Sequence, residues 1–148
     1  MMINAQDYLL SIRACQQRID LKIQQIQNLK NQLQNISSPW EQEQVSHTRN
    51  VAVMAGTIAT IVDMQKEIDQ QTTELMIKKR EALRLLDQIK PASTDILIKR
   101  FFENKSVMEL GKILFVTRRQ AQRKLTDALM EFQIVLDRWE SQDKTDSD

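Results

Sequence analysis

Apolar residues recur every seven positions along the first part of the chain. Ile12, Ile19, Ile26 and Leu33 form one seam, with Cys15, Leu29 and Ile36 in companion positions and Lys22 as its polar exception. No Gly or Pro interrupts Met1 to Ile36, so this stretch is predicted as a long amphipathic coiled-coil helix. A second seam, Met54, Ile61, Ile68, Leu75, Ala82 and Ile89, predicts a helix from about Val51 to Ile89, weakened in its middle by Gln65, Thr72 and Lys79. Between them, Ser37 to Asn50 reads as an exposed connection. Pro39 disfavours helix at Ser38, and Trp40 is placed as a cap over the end of the hairpin, with a partner surface as the alternative.

Ala52, Gly56 and Thr60 lie four apart on the second helix and form a small-residue stripe that would admit another helix. A mid-helix Gly costs up to about 1 kcal/mol against Ala, which argues that the close approach is needed. The two helices are expected to pair as an antiparallel hairpin. Its seam residues Ile12, Ile19, Ile26, Leu33, Met54, Ile61, Ile68 and Leu75 are expected to drive homo-oligomerisation, with a dimer favoured.

Beyond Pro91 the pattern shifts from an aliphatic seam to a compact aromatic core: Phe101, Phe102, Phe115, Phe132 and Trp139 follow it, against Tyr8 and Trp40 before. Ser93 or Thr94 can cap a lead helix reaching about Glu103 that presents Ile96, Leu97, Phe101 and Phe102. Ser106 and Glu109 form an S-x-x-E capping box, so a further helix begins near Val107 with Val107, Leu110, Ile113 and Leu114 at helical spacing. Gly111 would let another helix approach. After a turn at Phe115 and Val116, Thr117 caps a last helix. Its inward stripe is Ala121, Leu125, Ala128, Leu129 and Phe132, continued by Val135, Leu136 and Trp139. The layout is therefore all-α: a helical hairpin over 1–90, a helix-turn-helix domain over 91–140, and a disordered acidic tail over 141–148.

Composition agrees with the helical reading. The 148 residues include two glycines, two prolines and 5% aromatics, few for a sheet protein. The longest uncharged apolar run, Val51 to Val62, is well short of the roughly 20 residues a spanning helix needs. No membrane partner is expected. One cysteine and no cationic leader point to a cytoplasmic protein. Net charge is +1 overall but +3 over 93–139 and −3 over 140–148, so the basic part coincides with the helix-turn-helix.

The chemistry lies on the outward face of the last helix. The segment from Arg118 to Lys124, RRQAQRK, holds four cations and no anion. At about 100 degrees per residue, Arg119, Gln120 and Arg123 point away from Leu125, with Lys124 on the flank. Arginine pairs in two-pronged fashion with guanine and glutamine with adenine in the major groove, and the second helix of a helix-turn-helix supplies such contacts. Arg119, Gln120 and Arg123 are thus the expected base contacts; Thr117, Arg118, Gln122 and Lys124 are the expected phosphate contacts, helped by the positive helix start. The alternative for this face is solvation, with Arg123 and Asp127 paired across one turn. His47 is the lone histidine, so no metal site can be built from nitrogen and sulfur ligands. No catalytic constellation or phosphate loop occurs; neither an enzyme nor a cofactor is expected.

From Ile96 to Phe132 the order of residue types resembles the fourth-region helix-turn-helix of sigma factors. It is carried by Ile96, Leu97, Phe101, Phe102, Ser106, Glu109, Leu110, Leu114, Val116, Thr117, Leu125 and Ala128. The layout of the whole chain is similar to phage late-operon regulators of the ArpU and RinA type. Phe115 stands where that pattern usually has a turn glycine, and Ala121 where a branched residue is usual. The resemblance implies a regulator of phage or prophage late genes that binds double-stranded DNA and contacts RNA polymerase. Two other readings share parts of the pattern: a small-terminase-like subunit that recognises phage DNA for packaging, and a coiled-coil interaction protein that ignores DNA.

Overall fold

The computed structural model describes residues 3–36 and 47–146, and within these every element is helical. They are α1 (Ala5–Ile36), α2 (His47–Leu86), α3 (Pro91–Leu97) running into a π-helical turn (Ile98–Phe102), α4 (Val107–Leu114) and α5 (Arg118–Asp146). The all-α reading holds. Trp40, and with it the capping role over the hairpin end, lies outside the described residues.

Boundaries moved for local reasons. Asn4 opens α1, its side-chain oxygen accepting from the amides of Gln6 (2.9 Å) and Asp7 (3.2 Å). Helix α2 starts at His47, inside the stretch expected to be a connection, and stops at Leu86 rather than Ile89. The stop follows from Pro91, which holds Lys90 extended (φ −59, ψ 139), so the chain leaves the helix through tight turns at Gln88 and Ile89. Pro91 then opens α3 in the first helical turn, where its missing N–H costs nothing. Neither Ser93 nor Thr94 caps that helix. The Thr94 hydroxyl instead donates to the Leu86 carbonyl at 2.7 Å, satisfying the end of α2. At the other end, α5 continues to Asp146 where a disordered tail from 141 was expected. The composition of that stretch does not favour helix, but the Ser141 hydroxyl bonds back to the Asp137 carbonyl at 2.9 Å.

The chain divides into two compact units. One comprises 15–76, the body of the hairpin. There Ile19, Ile26, Ile61 and Leu75 are buried, and Leu33, Met54 and Ile68 are half-buried. Lys22, the exception in the seam, forms an ion pair with Glu67 at 3.3 Å, so its charge is met across the hairpin while its neighbour Ile23 stays exposed.

The other unit joins 1–14 and 77–148. Its core collects Ala5 and Leu9 of α1, Leu85 and Leu86 of α2, and Ile96, Leu97, Phe101, Leu110, Ala121, Leu125, Ala128, Phe132, Val135 and Leu136. The compact unit around the helix-turn-helix therefore reaches past Pro91 into both long helices. Helix α5 is held to the start of α1 by Gln133. Its side chain accepts from the Ala5 amide and donates to the Ile3 carbonyl, both at 2.7 Å. The length of α5 beyond Phe132 is thus used within the chain. Tyr8 adds its ring against Phe132 (centroids 5.9 Å apart) and Trp139 (6.4 Å).

Candidate nucleic-acid interface

Three local devices shape the helix-turn-helix. Ser106 caps α4 by accepting from the Glu109 amide at 3.1 Å. Thr117 and Gln120 form a reciprocal box at the start of α5: the Gln120 amide donates to the Thr117 hydroxyl (3.1 Å) and the Thr117 amide to the Gln120 side-chain oxygen (3.0 Å). Between them Phe115 closes α4 in the left-handed region (φ 57, ψ 41), and the Val116 amide donates to the Gly111 carbonyl at 2.9 Å. A bulky residue is rare there, and here the ring is 94% exposed, so no packing offsets the backbone strain.

Gly111 has a different partner from the one its size suggests. A side-chain carbon at this position would lie 3.0 Å from the Val116 carbonyl oxygen, and 3.6 Å from the Arg118 nitrogen. The turn backbone itself, rather than another helix, occupies the space.

Helix α4 packs on α5 through Leu110, Ala121 and Leu125, all buried. That contact turns the opposite face of α5 outward: Thr117, Arg118, Arg119, Gln120, Gln122, Arg123 and Lys124 are all exposed. Arg119 and Arg123 are one turn apart on the same face. None of the four cations forms an ion pair among the described residues, and Arg123 is not paired with Asp127. The positive end of the α5 dipole lies under the same turn. Gln120 differs from the other expected base contacts, because its oxygen is taken by the cap and its amide nitrogen alone remains to donate. Gln122 approaches Thr126 at 3.5 Å, and the Thr126 hydroxyl donates to the Gln122 carbonyl at 3.0 Å.

Of the eight expected oligomerisation residues, Leu33, Met54 and Ile68 are half-buried and the other five are turned inward. Ile12, Ile19, Ile26, Ile61 and Leu75 are buried within one chain, so they are already used by the fold. Large apolar side chains that stay exposed on the hairpin include Val51 (54%), Ile58 (49%) and Val62 (42%) on α2, which share one face by their spacing. Gly56 has nothing within 4 Å of the place a side chain would start. The close approach that its helix cost implied is not made among the described residues.

Two cations that no sequence pattern brings forward, Arg13 of α1 and Arg100 of the π-helical turn, line one cleft with Arg118. Arg13 belongs to a seam-bearing helix far from α5 in sequence, and only tertiary packing reveals the neighbourhood. Among the described residues no helix is long and apolar enough to cross a membrane, and no group of His, Cys, Asp or Glu is arranged to hold a metal ion. Compared with known proteins, the chain matches no family model, no curated protein and no solved structure.

Proposed function

We propose that this chain is a sequence-specific duplex-DNA-binding regulator of transcription, acting in the cytoplasm on phage or prophage late genes. It reads the major groove with α5 from Arg118 onward. The observation that supports this most is the exposed and unpaired cationic face of α5, set behind a capped turn, on a helix whose other face is buried. Arg119 and Arg123 take base edges, and Gln120 donates from its amide nitrogen while its oxygen holds the cap. Thr117, Arg118, Gln122 and Lys124 take phosphates. The gene class and a contact with RNA polymerase rest on the family resemblance alone. The protein acts by binding and catalyses no reaction.

A homo-oligomer, with a dimer favoured, fits this role, because a net charge of +1 supplies little phosphate neutralisation from one copy. The exposed face of Val51, Ile58 and Val62 supports that state. Selection from a random duplex library at about 150 mM salt, the full chain beside an Arg119→Ala, Arg123→Ala double variant, tests the reading. A defined motif that the variant loses is the expected result. No enrichment by the full chain would sink it.

A further inference from the structure

A cleft of about 440 Å³ opens beside the start of α5, lined by Arg13, Arg100, Asn104, Ser106, Val107, Met108 and Arg118. Three arginines and no acid converge on it. Each is drawn from a different element: α1, the π-helical turn, and the first turn of α5. Helix α4 also starts here. Ser106 uses its hydroxyl oxygen on the Glu109 amide, which leaves the amides of Val107 and Met108 without carbonyl partners in their own helix. Arg100 is anchored by a bond from one terminal nitrogen to the Lys105 carbonyl (3.2 Å) and by stacking over the Phe101 ring, 5.9 Å from its centroid. It is therefore held in place before any ligand arrives.

Arg13 is the telling member. Its Nε is shut off from solvent and has no hydrogen-bond partner among the described residues. The Arg13 side chain is half-buried, and a partly desolvated guanidinium with an unmade donor gains from an acceptor close to it. An acceptor that fits three guanidinium groups and a helix start is a tetrahedral oxyanion.

We infer that this cleft is a binding site for a phosphate group. In the DNA complex it takes a backbone phosphate next to the bases read by α5, so the first turns of the hairpin form part of the DNA contact. The second statement rests on the DNA-binding reading above; the first does not. Arg13 and Arg100 thereby join Arg118 as phosphate ligands, and the tertiary contact between α1 and the reader becomes a specific aid to binding.

The test uses the full chain and two probes. In the first, the side-chain Nε–H signal of Arg13, identified by its disappearance in Arg13→Lys, is followed by NMR during addition of inorganic phosphate at constant ionic strength. A saturable shift matched by Arg100 and Arg118, and absent with chloride, is expected. No saturable shift overturns the site. In the second, affinity for the selected duplex is measured against salt for the wild type, Arg13→Gln and, as a control, the exposed Arg18→Gln. Losing one phosphate contact should lower the slope of log affinity against log salt by about 0.9, roughly a 3- to 4-fold change in the affinity ratio between 50 and 200 mM. An unchanged slope in Arg13→Gln, with wild-type binding intact, overturns the DNA role of the cleft. A wild type that binds no duplex removes the DNA reading, and the phosphate titration then decides the site by itself.

Discussion

The Tyr8 hydroxyl of α1 donates to Glu81 Oε1 of α2 at 2.8 Å, while the Tyr8 ring lies against Phe132 and Trp139 of α5. One side chain thus fastens both arms of the hairpin to the helix that carries the cationic face. Burial, then the hydrogen bond and charge of Glu81, raise the pKa of this phenol above its ordinary 10.0. Below pH 10 the hydroxyl is protonated whether the chain is folded or not. Above it the unfolded chain ionises and the folded chain holds its proton, so stability falls as pH rises. Thermal unfolding followed from pH 8 to 11.5 should show this decline in the wild type and a flatter one in Tyr8→Phe. At pH 8 the variant should be less stable by about 1 kcal/mol, the worth of one partly solvated hydrogen bond to a carboxylate.

Gly111→Ala should destabilise the domain although alanine is the better helix former. The added carbon meets the Val116 carbonyl at 3.0 Å, a backbone atom that can yield only by moving the turn. Overpacking of that kind costs about 1 to 3 kcal/mol, against roughly 1 kcal/mol gained in helix propensity. Urea unfolding should show a net loss, with weaker DNA binding because the turn sets the angle of α5.

Gly56→Ala separates folding from association. Among the described residues the new methyl group touches nothing, so helicity should hold or rise. If α2 meets a second copy along Ala52, Gly56 and Thr60, the methyl group keeps the helices apart. Sedimentation equilibrium at tens of micromolar should then show a self-associating wild type and a weaker variant. A wild type that stays monomeric at that concentration would remove the oligomer from the functional reading.

Phe115→Gly should stabilise the protein. The left-handed backbone (φ 57) strains a bulky residue, and its 94% exposed ring returns no packing energy. Relief of about 1 kcal/mol is expected from chemical denaturation. Any loss of DNA affinity in this more stable variant would mark the ring itself as a DNA contact.

On α5, Arg123→Ala should cost about 1 to 3 kcal/mol on the preferred site and relax discrimination there, whereas Lys124→Ala should weaken all duplexes alike. Fluorescence anisotropy with a matched and a scrambled duplex distinguishes the two. Silence of both variants would show that this face is not the DNA surface.

What could be read in one dimension was whatever depends on near neighbours. The Ser106 cap on the Glu109 amide, the cap at Thr117 and the inward stripe from Ala121 to Phe132 all rest on contacts within a few residues, and they stand in the fold as the spacing implies. The outward turn of Arg119 and Arg123 follows from that stripe by helical geometry. Helix α2 stopped short of Ile89 because the seven-residue period ran on through a backbone constraint that Pro91 imposes. Tertiary packing alone decided the rest. Leu110 and Ile113 both fall at helical spacing on α4, yet one is buried and the other 40% exposed, a choice made by which surfaces meet. Ala5 and Leu9 belong to the core around the helix-turn-helix, and Gln133 holds the start of α1, because the chain returns there from more than a hundred residues away. The cleft of Arg13, Arg100 and Arg118 is a product of that return. Local spacing carries no information about which distant cations will come to share one space.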